Sequence, residues 1–180
     1  YFETDDKFFE IRKVDIETND EKTILSDIKY VHEDYVSIRN NILTYTQVID
    51  GHWKLIIQKI ANSNKIGEIN LNLSRGYDAQ VDISDDGRFI IYVDYVRLND
   101  DEFIAKLFLY DIKHKLSKVL STGRPYHRFS LPKFINKDWI AYNNIVTSLI
   151  NHKTELRLIK FDGTDQFTLV TVNDISGIPY

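Results

Sequence analysis

Apolar and polar residues alternate with a period of two through most of this chain. From Phe9 to Ile16 the order is Phe-Glu-Ile-Arg-Lys-Val-Asp-Ile, the pattern of a strand with one wet face. The turn signal Asn19-Asp20 interrupts it and Lys22 to Leu25 resumes it. The same shape returns as Lys54–Ile60 and Lys65–Leu73 around Asn62-Ser63-Asn64, and as Leu107–Ile112 and Lys118–Leu120 around Lys113-His114-Lys115. A fourth copy is Glu155–Phe161 and Phe167–Val172 around Asp162-Gly163-Thr164-Asp165. Each copy predicts a hairpin closed by a short polar turn.

Between the hairpins a second unit recurs, a polar turn followed by a strand that opens on an aromatic residue. Its copies are His32-Glu33-Asp34 before Tyr35, Asp85-Asp86-Gly87-Arg88 before Phe89, and Asn136-Lys137-Asp138 before Trp139. Tyr35, Phe89 and Trp139 are spaced by 54 and 50 residues, and Gly123-Arg124-Pro125-Tyr126 returns 54 residues later as Gly177-Ile178-Pro179-Tyr180. A repeat near fifty residues that holds four strands is the size of a β-propeller blade. The expectation is an all-β chain of antiparallel four-stranded blades, with strands A to D running outward from an axis. Residues 1–25 would supply strands C and D of one blade. Residues 26–74, 75–122 and 123–176 would form three more, and 177–180 would lead into the next. About three and a half blades leave blade faces and strand edges uncovered, which is an aggregation hazard. A larger ring is therefore expected, its remaining blades coming from the same full-length chain or from a partner chain.

Composition strengthens the β reading. Of 180 residues 13% are aromatic, with only 7 Gly and 3 Pro, and Tyr, Phe, Ile, Val and Thr suit a pleated, half-buried surface. The absence of Cys excludes disulfides, thiolate zinc sites and a cysteine nucleophile. No stretch reaches the ~18 uninterrupted apolar residues of a membrane-spanning helix. The chain opens on Tyr1 and has no Met, so an upstream start is expected, and a signal peptide there is compatible with it.

The net charge of −4 gives no basic surface for nucleic acid. Charge is uneven, however: residues 1–35 carry a net −6 and residues 106–137 a net +7. In a propeller the basic tract would be divided. Lys113, Lys115 and Lys118 would sit at a C-to-D turn and Lys133 and Lys137 near an A-to-B turn, while Arg124, His127 and Arg128 belong to the D-to-A connection on the other face. Nucleic acid is therefore not expected as a partner.

Ile83-Ser84-Asp85-Asp86-Gly87-Arg88-Phe89-Ile90-Ile91-Tyr92 resembles the Ser-Pro-Asp-Gly-Lys core of TolB-like, WD-repeat-like propeller repeats, with Asp85 where that family has Pro. Phe161-Asp162-Gly163 through Leu169 is similar to the Asp-Gly hairpin that ends such repeats, and Pro125 and Pro179 stand where the family places a Pro before the next strand A. Independently of family, Gly87 supplies positive φ for a tight turn, and Asp85 and Asp86 can accept backbone N–H groups across it. Asp85, Asp86 and Gly87 are thus expected to be structural. The resemblance implies a non-enzymatic scaffold that recognises a protein or peptide. It is also compatible with a propeller gating a prolyl-oligopeptidase-like serine peptidase, or with a sensor of a sugar or other small molecule. With the Ile-, Asn- and Lys-rich composition, it implies a bacterial periplasm, cell-envelope or secreted location.

Chemistry-bearing motifs add little to that. Asp82 to Gly87 begins like a calcium loop, but position twelve is Val93 rather than Glu. The five His residues show no ligand spacing. There is no Gly-x-Ser-x-Gly elbow and no phosphate loop. Asp94, Asp100, Asp101 and Glu102 read as a solvated turn, and Asn72-Leu73-Ser74 is the one glycosylation sequon. No catalytic, cofactor or metal residue is assigned. The most recognition-like cluster is Arg124, Tyr126, His127 and Arg128, an aromatic beside guanidinium groups.

Overall fold

A computed structural model describes residues 8–29, 36–72, 80–99, 102–125, 127–147 and 152–174. Among the described residues every regular element is a strand, and no helix is long and apolar enough to cross a membrane. β1 (Phe8–Val14) and β2 (Glu21–Lys29) form an antiparallel pair, with β2 extending past Leu25. Three four-stranded antiparallel meanders follow. The first contains β3 (Ser37–Arg39), β4 (Ile42–Ile49), β5 (His52–Lys59) and β6 (Lys65–Asn70). The second contains β7 (Val81–Ile83), β8 (Phe89–Arg97), β9 (Phe103–Asp111) and β10 (Leu116–Thr122). The third contains β11 (His127–Phe134), β12 (Trp139–Thr147), β13 (His152–Lys160) and β14 (Gln166–Asp174).

The sheets pack face to face in chain order, and strand alternation decides which neighbour each residue meets. On β8, Ile90 and Tyr92 join Ile42, Leu55 and Ile57 of the first meander. The intervening Ile91, Val93 and Tyr95 join Phe129, Ile140 and Tyr142 of the third. Leu43, Tyr45 and Ile56 turn the other way, toward Ile24 and Leu25 of β2. A strand buried on both faces reads as an unbroken apolar run, which is why Phe89-Ile90-Ile91-Tyr92-Val93 lacks alternation.

Adjacent sheets meet through their first strands, β3 and β4 against β7, and β11 against β7, β8 and β9. Side chains rather than a backbone ladder join these inner strands. The buried Asp82 carboxylate on β7 accepts Phe134 N at 3.0 Å from β11 and Ser37 Oγ at 3.4 Å from β3, with Lys133 Nζ at 3.6 Å. Gln80 Oε1 accepts the Leu131 N–H, where β11 bulges and Leu131 takes φ +49°.

One turn differs from the sequence expectation. The first A-to-B turn is Asn40-Asn41 (φ +47° and +62°), closing the pair Arg39 to Ile42, and not His32-Glu33-Asp34. Two successive positive φ values make the two-residue hairpin turn that matches strand twist, and Asn tolerates them. Ile42, rather than Tyr35, is therefore the register equivalent of Phe89 and Trp139, since these three pair with Lys59, Asp111 and Lys160. Tyr35 itself, like the Gly177–Tyr180 marker, lies outside the described residues.

Candidate functional site

Antiparallel meanders bring unlike loops to the two ends of each sheet. The β7–β8 and β11–β12 turns share one end with the β9–β10 and β13–β14 turns, through Ile112 N to Arg88 O and Phe161 N to Asp138 O. The connection from β10 to β11 lies at the other. Arg124, His127 and Arg128 are all at this second end, with Arg124 and Arg128 exposed and His127 partly buried. His127 and Arg128 open strand β11 rather than lying in the loop, and a turn bond from His127 N to Arg124 O (3.0 Å) ties loop to strand. Tyr126 lies outside the described residues. Lys113 and Lys115 in the β9–β10 turn, and Lys137 in the β11–β12 turn, are at the opposite end, so the basic tract is split.

Below His127 runs a polar chain that sequence reasoning did not find. His127 Nδ1 is 3.1 Å from Asn144 Oδ1, and Asn144 Nδ2 donates to Glu155 Oε2 at 2.9 Å. Cross-strand register sets this order, because Phe129, Asn144 and Glu155 are direct partners on β11, β12 and β13, with His127 two residues before Phe129 on the same face. With its amide nitrogen committed to Glu155, Asn144 offers His127 an acceptor. A neutral His127 then carries its proton on Nδ1 and leaves Nε2 as the acceptor. Asn144 is fully buried and the Glu155 side chain is 8% exposed. Glu155 also receives Lys153 Nζ at 2.5 Å, Arg157 Nη2 at 2.5 Å and Arg157 Nε at 2.8 Å. Burial alone would raise its pKa, but the bonds from Lys153, Asn144 and Arg157 outweigh that and bring it down to about 2. Arg124, Arg128, Lys153 and Arg157 gather basic side chains toward this end of the sheet, and Glu155 meets two of them.

At the other end, Gly87 has φ +69°, and a Cβ there would stand 3.0 Å from Asn40, whose Nδ2 donates to Asp86 O at 2.6 Å. Gly87 thus serves both the turn and the close approach of the neighbouring turn. Asp86 Oδ1 accepts Ser84 Oγ (2.6 Å) and Arg88 N (3.0 Å), which lowers its pKa. Asp85 instead reaches across to Arg39 Nη1 at 2.7 Å, its side chain 84% exposed.

Asp94 corrects the expectation of a solvated turn. It is buried on β8 and accepts Asn72 N (2.8 Å) and Asn72 Nδ2 (3.1 Å), while burial pushes its carboxyl pKa up. Asp100 and Asp101 lie outside the described residues, and Glu102 N bonds the Asn99 side chain. Among the described residues no three His, Asp or Glu side chains converge as a metal centre would require.

No protein-family model matches the chain, and no curated protein does. Solved structures do. A putative TolB from Agrobacterium tumefaciens superposes with a TM-score of 0.58 at 12% identity, over 92% of this chain and 61% of its own. Meanders meeting along their first strands, together with that superposition, decide the architecture. The fold is a TolB-like β-propeller. An oligogalacturonate lyase in complex with manganese gives a TM-score of 0.59 at 14% identity, covering 87% of this chain and 45% of the lyase. An acylaminoacyl peptidase in complex with a chloromethyl ketone gives 0.55 at 10% identity, covering 91% and 30%. The chain thus spans less than two thirds of each of these propeller-containing proteins.

Proposed function

We propose that this propeller segment is a non-enzymatic recognition scaffold that binds an acidic stretch of a protein or peptide at the β10–β11 end of its third meander. The observation that carries this reading is the charge arrangement. Glu155 is already engaged by Lys153, Arg157 and Asn144, while Arg124 and Arg128 present exposed guanidinium groups at the same end of the sheet. Asn144 in turn holds the imidazole of His127 at the start of β11. Guanidinium groups favour carboxylates, in bidentate geometry where the partner allows it. The remaining blades of the ring come from the full-length chain or a partner chain, and the likeness to TolB supports a bacterial periplasmic, envelope or secreted setting.

The test is binding of a fluorescein-labelled deca-glutamate peptide to the full-length protein. Arg124→Glu with Arg128→Glu is expected to weaken it about tenfold or more, and binding should fall as salt rises from 50 to 300 mM. Equal binding by the parent and the double variant would refute the reading. The likeness to an acylaminoacyl peptidase supports a second reading, a propeller that gates a serine peptidase. A Gly-x-Ser-x-Gly elbow downstream in the gene would favour it.

A further inference from the structure

At the turn end of the molecule, opposite Arg124, a cavity of about 260 Å³ opens between the second and third meanders. Phe89, Phe134 and Phe161 form its floor, and Asp86, Asn136 and Lys137 stand on its rim with Ser84 and Asp85. The rings come from three different strands or turns and hold one another. Phe89 and Phe161 meet edge to face at 4.6 Å and 81°, and Phe134 lies 6.2 Å from Phe161. The volume is below the ~300–1,000 Å³ usual for drug-sized ligands and suits one large side chain.

Its polar groups narrow the choice of side chain. The Arg88 guanidinium covers Phe89 at 4.6 Å while paired with Asp111 at 2.8 Å, and Lys137 lines the cavity, so an incoming cation would meet the charge of Lys137. Asp85 is paired with Arg39. Asp86 spends one oxygen on Ser84 Oγ and Arg88 N, and its side chain is exposed. These bonds also hold Asp86 ionised. The site therefore offers an aromatic floor and one charged acceptor, and lacks a donor-bearing ring.

We infer that the Phe89–Phe134–Phe161 pocket seats a tryptophan or tyrosine side chain of a protein partner, its ring on the three phenylalanines and its N–H or O–H donating to Asp86. Such side chains combine large apolar area with a polar tip and anchor interfaces where a pocket receives them. This contact is separate from the acidic-segment contact at the other end.

Saturation-transfer NMR on the full-length protein tests it, with Ac-Gly-Trp-Gly-NH2, Ac-Gly-Phe-Gly-NH2 and Ac-Gly-Lys-Gly-NH2 as probes. The tryptophan peptide should bind saturably and more tightly than the lysine peptide. Asp86→Asn keeps an oxygen for Ser84 and Arg88 N but loses the charged acceptor. It should weaken the tryptophan peptide about fivefold and leave the phenylalanine peptide unchanged. Phe134→Leu should weaken both. Because Phe134 also packs the cleft, Lys137→Trp, on an exposed side chain, closes the same mouth without touching the interior and should block both. The proposal is overturned by tighter binding of the lysine peptide, by tryptophan binding that Asp86→Asn and Lys137→Trp leave unchanged, or by no saturable binding at all. Arg124→Glu with Arg128→Glu should not alter tryptophan binding, so each reading can fail alone.

Discussion

A carboxylate as buried as Glu155 is tolerated only because cations and an amide meet it, and its protonation should be visible in stability. Its folded pKa is about 2 against an ordinary 4.5. A lowered folded value means that the ionised form is favoured by folding. The contribution is complete above pH 4.5 and is lost as pH falls from there toward 2. A gap of that size corresponds to at most about 3 kcal/mol. Glu155→Gln should therefore be less stable than the parent at pH 7, with the difference shrinking as pH falls from 4.5 to 2. Urea midpoints at several pH values measure this, and a constant difference across that window would show that the Glu155 charge is not the linked group. The sequence hid this residue because a Glu within Thr-Glu-Leu-Arg reads as solvent-facing alternation. Its partner Asn144 is brought close only by strand register. Asp94 was misread for a related reason, since its acidic neighbours suggest a loop while Asn72 arrives from a different meander.

Among the elements, the hairpins were the most legible, because period-two alternation and polar turns are local and each strand pair β5–β6, β9–β10 and β13–β14 forms where the pattern places it. The A strands were the least legible. β3 and β7 are three residues long, too short for alternation to register, and they are secured by contacts made across meanders. The aromatic marker at Tyr35 failed on that account, because an Asn-Asn turn several residues later sets the register. The cross-meander contacts give a second expectation. Removing the Asp82 carboxylate leaves the Phe134 N–H without its acceptor between two inner strands. Asp82→Ala should cost about 2 kcal/mol, whereas Asp82→Asn, which retains an acceptor, should cost less than about 1 kcal/mol. Equal losses in urea unfolding would mean that the Lys133 charge, rather than the N–H, makes Asp82 matter.

For the whole molecule, the sequence carried the architecture and only one of the two proposed contact regions. The repeat placed Arg124, His127 and Arg128 at the end opposite the lysine turns without coordinates, whereas the three-phenylalanine pocket exists only where two repeats meet. The same packing logic identifies one face that differs from the rest. The first two meanders are covered on both sides, but the third buries Ile140, Tyr142 and Ile159 against β7–β10 and turns Phe167, Val170 and Val172 outward, at 44%, 52% and 60% exposure. Trp139 lies against Phe167 at 5.2 Å on this side. A contiguous apolar sheet face beyond a few scattered side chains drives association. The 180-residue chain expressed alone should bind the dye ANS and self-associate with rising concentration in analytical ultracentrifugation. Val170→Lys with Val172→Lys should reduce both signals while changing unfolding free energy by only about 0.5 kcal/mol, because neither side chain is in the core. If dye binding and association persist in the double variant, the sticky surface lies elsewhere and the outward face of β14 is not what limits this chain in isolation.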